Sequence, residues 1–455
     1  MKYSNYEDTI CAISTGGSTS AIAIIRVSGK KSLSIVNSIF NKDILEANSH
    51  TIHLGNIIEE KNIIDEVLIS IFKDNKSFTG ETTLEISCHG STFIQNKIIH
   101  LLLDKGCRLA TSGEFTMRAF KNGKLDLSQA ESIADLISSK NKKSHEIAIN
   151  QMKGGISNIL QDMRKKLIDF SSLMELELDF SEEDVEFVDS KQLKSLLKEI
   201  KDRISELINS FELGNAIKNG IPIAILGESN VGKSTLLNTL LDEDKAIVSD
   251  IAGTTRDTIE ATLIINDISF RFIDTAGIRT TNDEIESLGI KKSFKKGNES
   301  EIILFVLDAS QEIKDQKNKM EEVQEKFPNT KLLTVINKID LIEQKNTINN
   351  NQNEVYISAK NRLGIDLLKK KIIETINLKA TSNHDIIITN LRHYESLNLT
   401  LNEIKIIINS LSNDVPKDLI STNIRQALFH LGNITGEISN DDVLANIFSK
   451  FCIGK

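Results

Sequence analysis

Gly227-Glu228-Ser229-Asn230-Val231-Gly232-Lys233-Ser234 is the stretch that decides the fold of this chain. It matches the phosphate-loop pattern G-x-x-x-x-G-K-[ST] at every fixed position. The apolar segment 221–226 before it predicts a strand, and the segment 235–241 after it predicts a helix. In that context backbone N–H groups and a helix N-terminus surround a phosphate. We therefore expect Lys233 at the β- and γ-phosphates and the Ser234 hydroxyl on Mg²⁺.

Length and composition place the chain among multidomain globular proteins. It has 455 residues, 40% of them hydrophobic and 26% charged, and a net charge of −9. Two to four domains are expected at this length. Because the net charge is negative, the protein as a whole has no positive electrostatic field that would attract nucleic acid. The N-terminus lacks the order of a signal peptide, and no apolar run approaches a membrane span. With four cysteines and no CxxC pair, these features predict a cytoplasmic protein with no membrane partner.

The hydrophobic patterning predicts a multidomain chain. Residues 1–120 mix strands, such as Thr83 to Ser87, with helices and indicate an α+β domain. Residues 121–220 are helical, with apolar stripes from Met152 to Phe170 and from Leu193 to Phe211, and 214–220 is expected to be a linker. Residues 379–455 are helical again, with Gly432 stopping one helix. We therefore expect one discontinuous helical-bundle domain into which residues 221–378 are inserted.

The inserted segment carries the periodicity of an α/β fold. Asn266-Asp267 lies between two β-prone runs and predicts a hairpin. Three further apolar runs, 302–307, 332–336 and 355–358, alternate with helical segments. That alternation predicts a doubly wound parallel sheet, the architecture of a P-loop G domain.

Three motifs after the phosphate loop indicate GTP. Asp340, in Asn337-Lys338-Ile339-Asp340, can accept hydrogen bonds from the N1–H and N2–H₂ edge of guanine, which adenine does not offer. Ser358-Ala359-Lys360 would contact guanine O6 through its backbone. In Asp274-Thr275-Ala276-Gly277, the aspartate would hold Mg²⁺ through a water molecule and the Gly277 N–H would contact the γ-phosphate. The predicted GTP-binding residues are Asn230, Val231, Gly232, Lys233, Ser234, Thr235, Ser249, Thr254, Thr255, Asp274, Thr275, Ala276, Gly277, Asn337, Lys338, Asp340, Ser358, Ala359 and Lys360.

The segment between the phosphate loop and the hairpin fits a first switch, in which Thr255 would bind Mg²⁺ when the γ-phosphate is present. Ile278 follows Gly277, where Ras-like enzymes carry a glutamine that orients the attacking water. Because isoleucine cannot orient water, another group has to do so. No arginine finger is obvious in this domain, and Arg256 and Arg279 are candidates whose direction the sequence does not give.

Several motifs resemble those of the tRNA-modification GTPase family called MnmE or TrmE. Those motifs are Gly253-Thr254-Thr255-Arg256-Asp257, Asp274 to Arg279, the terminal Cys452-Ile453-Gly454-Lys455 and, upstream, Ser77-Phe78-Thr79-Gly80-Glu81, His89-Gly90, Gly113-Glu114-Phe115 and Lys124 to Leu127. The similarity covers essentially the whole chain. Ser229 departs from the family's usual proline before the asparagine.

The resemblance implies further site residues. In the family K⁺ replaces an arginine finger, which implies Asn230, Ser249, Ile251 and Thr254 as K⁺ ligands. Glu286 matches the family's water-orienting glutamate, although a glutamate in an acidic run is otherwise usually solvated surface.

The N-terminal domain resembles folate-binding domains. A 5-formyl- or methylene-tetrahydrofolate is implied near Arg26, Glu85, Lys124 and Lys455, although on sequence alone each of these is more often a surface charge. Cys452 is implied as a functional thiol, the alternative being an ordinary buried cysteine.

The function implied by the resemblance is modification of tRNA. With a flavin-dependent MnmG or GidA partner, in a heterotetramer, a homodimer of the chain would add an aminomethyl or carboxymethylaminomethyl group to C5 of the wobble uridine (U34). Two alternatives stay open: a GTP-dependent ribosome or RNA assembly factor without modification activity, and a GTPase scaffold with a vestigial folate pocket.

Overall fold

The computed structural model describes residues 8–16, 18–179, 190–243, 261–273, 300–311, 313–328, 330–342, 353–376, 386–413, 415–438 and 441–454. The chain divides into two compact units. The first consists of Met1–Ser138, Ala148–Asp202 and Glu395–Lys455, and the second of Ser139–Ile147 and Arg203–Tyr394. Among the described residues, no helix has both the length and the apolar character needed to cross a bilayer.

A six-stranded sheet of order β3-β4-β5-β2-β1-β6 forms the N-terminal part of the first unit. Its strands are β1 (Ile10–Ile13), β2 (Ile22–Ser28), β3 (Thr51–Glu59), β4 (Asn62–Phe72), β5 (Thr83–His89) and β6 (Arg108–Leu109). Neighbouring strands are antiparallel except β1 and β6, which run parallel. The alternation predicted from Thr83 to Ser87 is confirmed, because Leu84 and Ile86 are buried and Glu85 is half-buried. The helices that go with this sheet are α1 (Ser32–Ser38) and α2 (Thr92–Asp104).

Helices make up the rest of the first unit, and three of them extend into the second. They are α3 (Glu114–Lys121), α4 (Leu127–Ser138), α5 (Lys142–Met152), α6 (Gly155–Asp179), α7 (Ser190–Asn209), α12 (Leu391–Ser412), α13 (Lys417–Thr435) and α14 (Asp441–Ser449). In the first unit α6 lies along α13, where Arg164 donates to the Leu428 carbonyl and pairs with Glu437.

Two helix ends differ from the sequence predictions. The stripe from Met152 to Phe170 spans two helices, because Gly154 adopts φ = +88° between α5 and α6. Gly432 does not stop α13, which continues to Thr435 and ends at Gly436 with φ = +83°. A left-handed glycine is the usual helix terminator, and Gly432 does not adopt that conformation.

The predicted linker 214–220 is wrong, because residues Phe211–Asn219 form helix α8. Gly214 is buried within it, and a Cβ there would lie 2.0 Å from the Ile388 carbonyl oxygen. The Ser210 hydroxyl accepts a hydrogen bond of 3.0 Å from the Ile388 N–H, and Phe211 stacks on Tyr394 at 4.4 Å between ring centroids. The glycine therefore allows close helix packing instead of a flexible connection.

The second unit contains a six-stranded sheet of order β12-β11-β10-β7-β9-β8. Its strands are β7 (Ile221–Leu226), β8 (Ala261–Ile265), β9 (Ile268–Phe272), β10 (Ile302–Asp308), β11 (Lys331–Asn337) and β12 (Glu354–Tyr356). All neighbours are parallel except the β8–β9 hairpin, whose predicted turn residues Asn266 and Asp267 both have positive φ.

Helices pack on both faces of this sheet, as the sequence predicted. They are α9 (Lys233–Glu243), α10 (Ile313–Lys326) and α11 (Ile365–Ile376). One core includes Ile223 and Ile225 of β7 with side chains of α9 and α11. A second core includes Ala224, and side chains of α10 pack against it. Because neighbouring residues of β7 enter different cores, the sheet is buried on both sides.

Candidate functional site

The phosphate loop joins β7 to α9 and depends on two glycines. Gly227 has φ = +149°, and a Cβ there would lie 2.4 Å from the Val306 carbonyl oxygen. Gly232 has φ = +97°, and its Cβ would lie 2.3 Å from the Asn337 amide nitrogen. Both contacts are closer than real Cβ atoms approach, so only glycine fits at either position. The two glycines therefore allow the tight turn that a phosphate-binding loop needs.

Lys233 is folded back over this loop. Its Nζ donates to the carbonyl oxygens of Gly227 at 2.8 Å and Glu228 at 2.6 Å. Burial lowers the pKa of the Lys233 ammonium, a shift that the carboxylate of Glu228 partly offsets. A partly desolvated ammonium beside a glycine-rich loop and a helix N-terminus is a donor set that suits the phosphates of a nucleotide.

Asn337 connects the phosphate loop to the segment after β12. Its Nδ2 donates to the Val231 carbonyl at 2.9 Å, and its Oδ1 accepts from the Ala359 N–H at 3.0 Å. The side chain is buried, so neither bond competes with water. The Thr239 hydroxyl of α9 adds a bond of 3.0 Å to the Ala359 carbonyl. These contacts fix three chain segments of the site relative to one another.

Asp340 and Lys338 are held by different partners. The Ser358 hydroxyl donates to Asp340 Oδ1 at 2.5 Å, which orients the carboxylate. Lys338 has φ = +66°, and its Nζ pairs with Asp308 Oδ2 at 2.6 Å. Burial acts to raise the pKa of Asp308, but hydrogen bonds from Lys338 and Ser310 outweigh it and keep that pKa below its ordinary value. Asp308 is therefore ionised at neutral pH and holds the Lys338 side chain in place.

The first unit contains a second group of predicted residues. Arg26 of β2 lies opposite Glu85 of β5, and its Nε and Nη2 donate to Glu85 Oε1 at 2.9 and 2.7 Å. Lys124 is exposed, and its Nζ donates to the Asn75 carbonyl at 2.6 Å. Cys452 is exposed, whereas Cys11, Cys88 and Cys107 are buried.

Comparison with known proteins identifies the family to which the chain belongs. Residues 9–124 match the family described as GTP-binding protein TrmE N-terminus, and residues 127–452 match the MnmE helical domain family. Proteins named tRNA modification GTPase MnmE from Flavobacterium psychrophilum and Flavobacterium johnsoniae are 52% and 51% identical to this chain. The alignments cover 99% of this chain and 100% and 99% of those proteins. This chain belongs to the MnmE family. A protein of the same name from Bacteroides thetaiotaomicron is 49% identical over 99% of the chain.

Family membership agrees with the resemblance found in the sequence. The structure brings the phosphate loop, Asn337, Asp340, Ser358 and Ala359 together at the carboxyl end of the parallel strands. Lys360 is exposed beside them. The other predicted site residues lie outside the described part of the chain: Ser249, Ile251, Thr254, Thr255, Asp274, Thr275, Ala276, Gly277, Glu286 and Lys455.

Ser234 is the predicted Mg²⁺ ligand that the structure describes. It is half-buried in the first turn of α9, directly after Lys233. A hydroxyl at that position suits Mg²⁺, which retains several waters and phosphate oxygens and needs few protein ligands. No cluster of three or more His, Cys, Asp or Glu side chains suited to a metal occurs among the described residues.

Two contributors to the site were missed from the sequence. Asp308 is the last residue of β10, just as Asn337 is the last residue of β11, and the carboxyl end of a buried parallel strand was the available signal. Thr239 carried no signal, because a threonine inside a helix usually marks nothing more than a tolerated residue.

We expect Asn337→Ala to weaken GTP binding by roughly 10- to 100-fold, because it leaves a buried carbonyl and a buried N–H unpaired. In Asn337→Asp, a carboxylate oxygen can still accept the hydrogen bond from the Ala359 N–H, but no N–H₂ group remains to donate to the Val231 carbonyl. Fluorescent GTP titration measures both variants. Asn238→Ala, on the exposed side of α9, is the matched control and should bind normally. Wild-type affinity in Asn337→Ala would show that the bridge is dispensable.

Proposed function

We propose that this chain is a K⁺-activated GTPase that acts with a flavin-dependent MnmG/GidA-type partner on the wobble uridine of certain tRNAs. The product is an aminomethyl or carboxymethylaminomethyl group on C5 of U34. The proposed GTPase activity rests on one observation. The Asn337 side chain links the phosphate loop, at Val231, to the segment at Ala359 that is expected to contact guanine. The tRNA part rests on family membership and on relatives named for tRNA modification.

The nucleotide is held by residues with separate tasks. Lys233 and the loop N–H groups bind the phosphates, and Asp340 accepts the two donors of the guanine edge. Ser234 and Thr255 would hold Mg²⁺, which would neutralise charge on the β- and γ-phosphates. The Ser358 bond to Asp340 keeps the reading carboxylate aimed, so that adenine, which lacks the matching donors, is rejected.

When bound, K⁺ would supply the positive charge that an arginine finger supplies in other GTPases. Asn230 is exposed on the phosphate loop with φ = +63°, a conformation that asparagine tolerates better than most residues. We assign its side-chain oxygen to K⁺, with Ser249, Ile251 and Thr254 completing the set. Glu286 orients the attacking water, in the place of the glutamine that is absent at Ile278.

The first unit binds the one-carbon donor and forms the contacts of the homodimer. A 5-formyl- or methylene-tetrahydrofolate binds in the N-terminal domain near Arg26, Glu85, Lys124 and Lys455, and Cys452 takes part as a thiol. The N-terminal domain forms the homodimer, and two copies of the chain assemble with two of the flavin-dependent partner. The helical segments before and after the G domain form one domain that the G domain interrupts.

GTP hydrolysis is expected to fall at least about tenfold when Na⁺ replaces K⁺ at matched ionic strength, because a cation beside the β- and γ-phosphates stabilises developing charge. Asn230→Ala should remove the K⁺ stimulation and keep GDP affinity, since it leaves the loop N–H groups in place. Asn219→Ala, on the exposed end of α8, is the control. Phosphate release in the two salts measures the effect, and equal rates would remove K⁺ from the mechanism.

The modification itself is tested by nucleoside mass spectrometry of tRNA. A strain that lacks the gene should lose the C5 substituent of U34, and the gene should restore it. An assembly factor without modification activity predicts unchanged tRNA in that strain, so this experiment separates the proposal from that alternative.

A further inference from the structure

The last described residues, 450–454, lie against the N-terminal part of the first unit through their backbone. The Gly454 carbonyl accepts hydrogen bonds from Ser14 Oγ at 3.2 Å and from Arg26 Nη1 at 3.3 Å. The Gly113 N–H donates to the Cys452 carbonyl at 3.3 Å. These three hydrogen bonds all involve main-chain atoms of the tail, so they fix the path of its backbone.

Gly454 fits this path for two independent reasons. Its φ is +93°, a region that other L-residues rarely adopt. A Cβ at this position would lie 2.3 Å from the Ile13 carbonyl oxygen and 2.9 Å from Ser14 Cα. Both atoms belong to the backbone at the end of β1, so they cannot move aside as a flexible side chain could. Any other residue at 454 therefore has to leave the docked position.

Arg26 is itself fixed from three sides. Glu85 accepts from Nε and Nη2, as described above, and the guanidinium carbon lies 5.7 Å and 5.6 Å from the ring centroids of Phe78 and Phe115. Aromatic faces at these distances attract a guanidinium. With two nitrogens occupied by Glu85, the remaining Nη1 points to Gly454. Arg26 is thus already positioned before it contacts the tail.

The anchored segment includes Cys452. Phe448 and Phe451 on its N-terminal side are buried in a core with Met117 and Leu127. Gly454 is anchored on its C-terminal side, and the Cys452 carbonyl is bonded to Gly113. The thiol is nevertheless exposed. Fixed backbone on both sides of an exposed thiol is the arrangement that keeps a reacting group in one place.

We propose that Arg26, Ser14 and Gly454 form a clamp that positions the Cys452 thiol for tRNA modification. These three are positioning residues, since they act on the backbone around the thiol. The inference rests on the proposed participation of Cys452 in the reaction. It gives Arg26 a task that needs no bound folate.

A spin label on Cys452 measures whether the clamp holds. The chain has four cysteines and the other three are buried, so a nitroxide thiol reagent marks Cys452 in the native full-length protein. We expect an immobilised spectrum for the otherwise unaltered protein and a mobile one for Gly454→Ala. The control is Gly106→Ala, because Gly106 has φ = +99° with nothing within 4 Å of its Cβ position. An unchanged spectrum in Gly454→Ala would overturn the clamp.

Ser14→Ala provides a milder variant that adds no atoms. Loss of one partly buried hydrogen bond should raise the undocked population roughly fivefold. Ser34→Ala, whose exposed hydroxyl bonds the Lys31 carbonyl within the same unit, should leave the spectrum unchanged. An equal effect of both serine variants would contradict a specific contact at Gly454.

Activity of the unlabelled variants separates the clamp from the proposed function. Gly454→Ala should keep wild-type phosphate release and lose wobble-uridine modification at least tenfold. If Gly454→Ala has a mobile tail and modifies normally while Cys452→Ser is inactive, the positioning role is wrong and the thiol remains. If Cys452→Ser also modifies normally, the proposed role of the thiol is wrong, and the positioning inference that depends on it is lost as well.

Discussion

Asp340→Asn is expected to change the base preference of the chain from GTP to xanthosine triphosphate. Asparagine replaces one carboxylate oxygen with an N–H₂ donor, which cannot accept from the guanine edge. Xanthine offers a carbonyl in place of the exocyclic amine, so the new donor finds a partner. We expect GTP affinity to fall roughly 10⁴-fold, the scale for a site built around specific polar partners that go unpaired.

The structure indicates that Asp340→Asn changes the hydrogen-bonding groups of the side chain without moving it. The amide oxygen of asparagine can still accept from the Ser358 hydroxyl, which now reaches Asp340 Oδ1 at 2.5 Å. The side-chain position is therefore preserved while its hydrogen-bonding character changes. Competition of both triphosphates for a fluorescent nucleotide measures the preference, with Asp366→Asn on the exposed surface of α11 as control. A variant that still prefers GTP would show that Asp340 does not read the base.

Glu286→Ala is expected to slow GTP hydrolysis by roughly 100- to 1000-fold while GTP binding changes little, as for loss of an oriented electrostatic group. The motivation is Ile278, which cannot orient water, together with the resemblance that assigns the task to Glu286. Single-turnover phosphate release measures the step.

The control for this prediction comes from the same acidic run. Glu284→Ala changes the charge by the same amount two residues away in sequence. If the run were merely a solvated surface, both variants would hydrolyse GTP at similar rates. A normal rate in Glu286→Ala would require another residue to orient the water.

The phosphate loop could be predicted because its structure is local. Gly227 and Gly232 are needed by the turn itself, and strand and helix follow directly in the chain. The bridge through Asn337 could not be predicted, because it joins residues 106 positions apart. The motif placed Asn337 in the site, but its partners are set by how β11 and β7 lie in the sheet. The same limit applies to Gly454, whose contact with Ser14 spans 440 positions.

Other differences arose where packing overrode a local pattern. Strand β3 was missed because Ile52 and Leu54 are exposed and Gly55 is buried, the reverse of what side-chain polarity suggests. The glycines at the two ends of 214–220 suggest a linker, yet residues Phe211–Asn219 are helical and Gly214 allows the Ile388 backbone to approach. Gly432 and Gly436 cannot be told apart by composition, since only the backbone angle at Gly436 ends the helix.

The central claim, that this GTPase modifies U34 of tRNA, is tested most directly by measuring modified wobble uridine in a deletion strain. The strain should carry the wild-type gene, Glu286→Ala, Cys452→Ser or no gene, with expression levels matched by immunoblot. The account predicts the C5 aminomethyl or carboxymethylaminomethyl group with the wild-type gene and its loss in the other three. Modified uridine at wild-type levels in the strain without the gene would contradict the account.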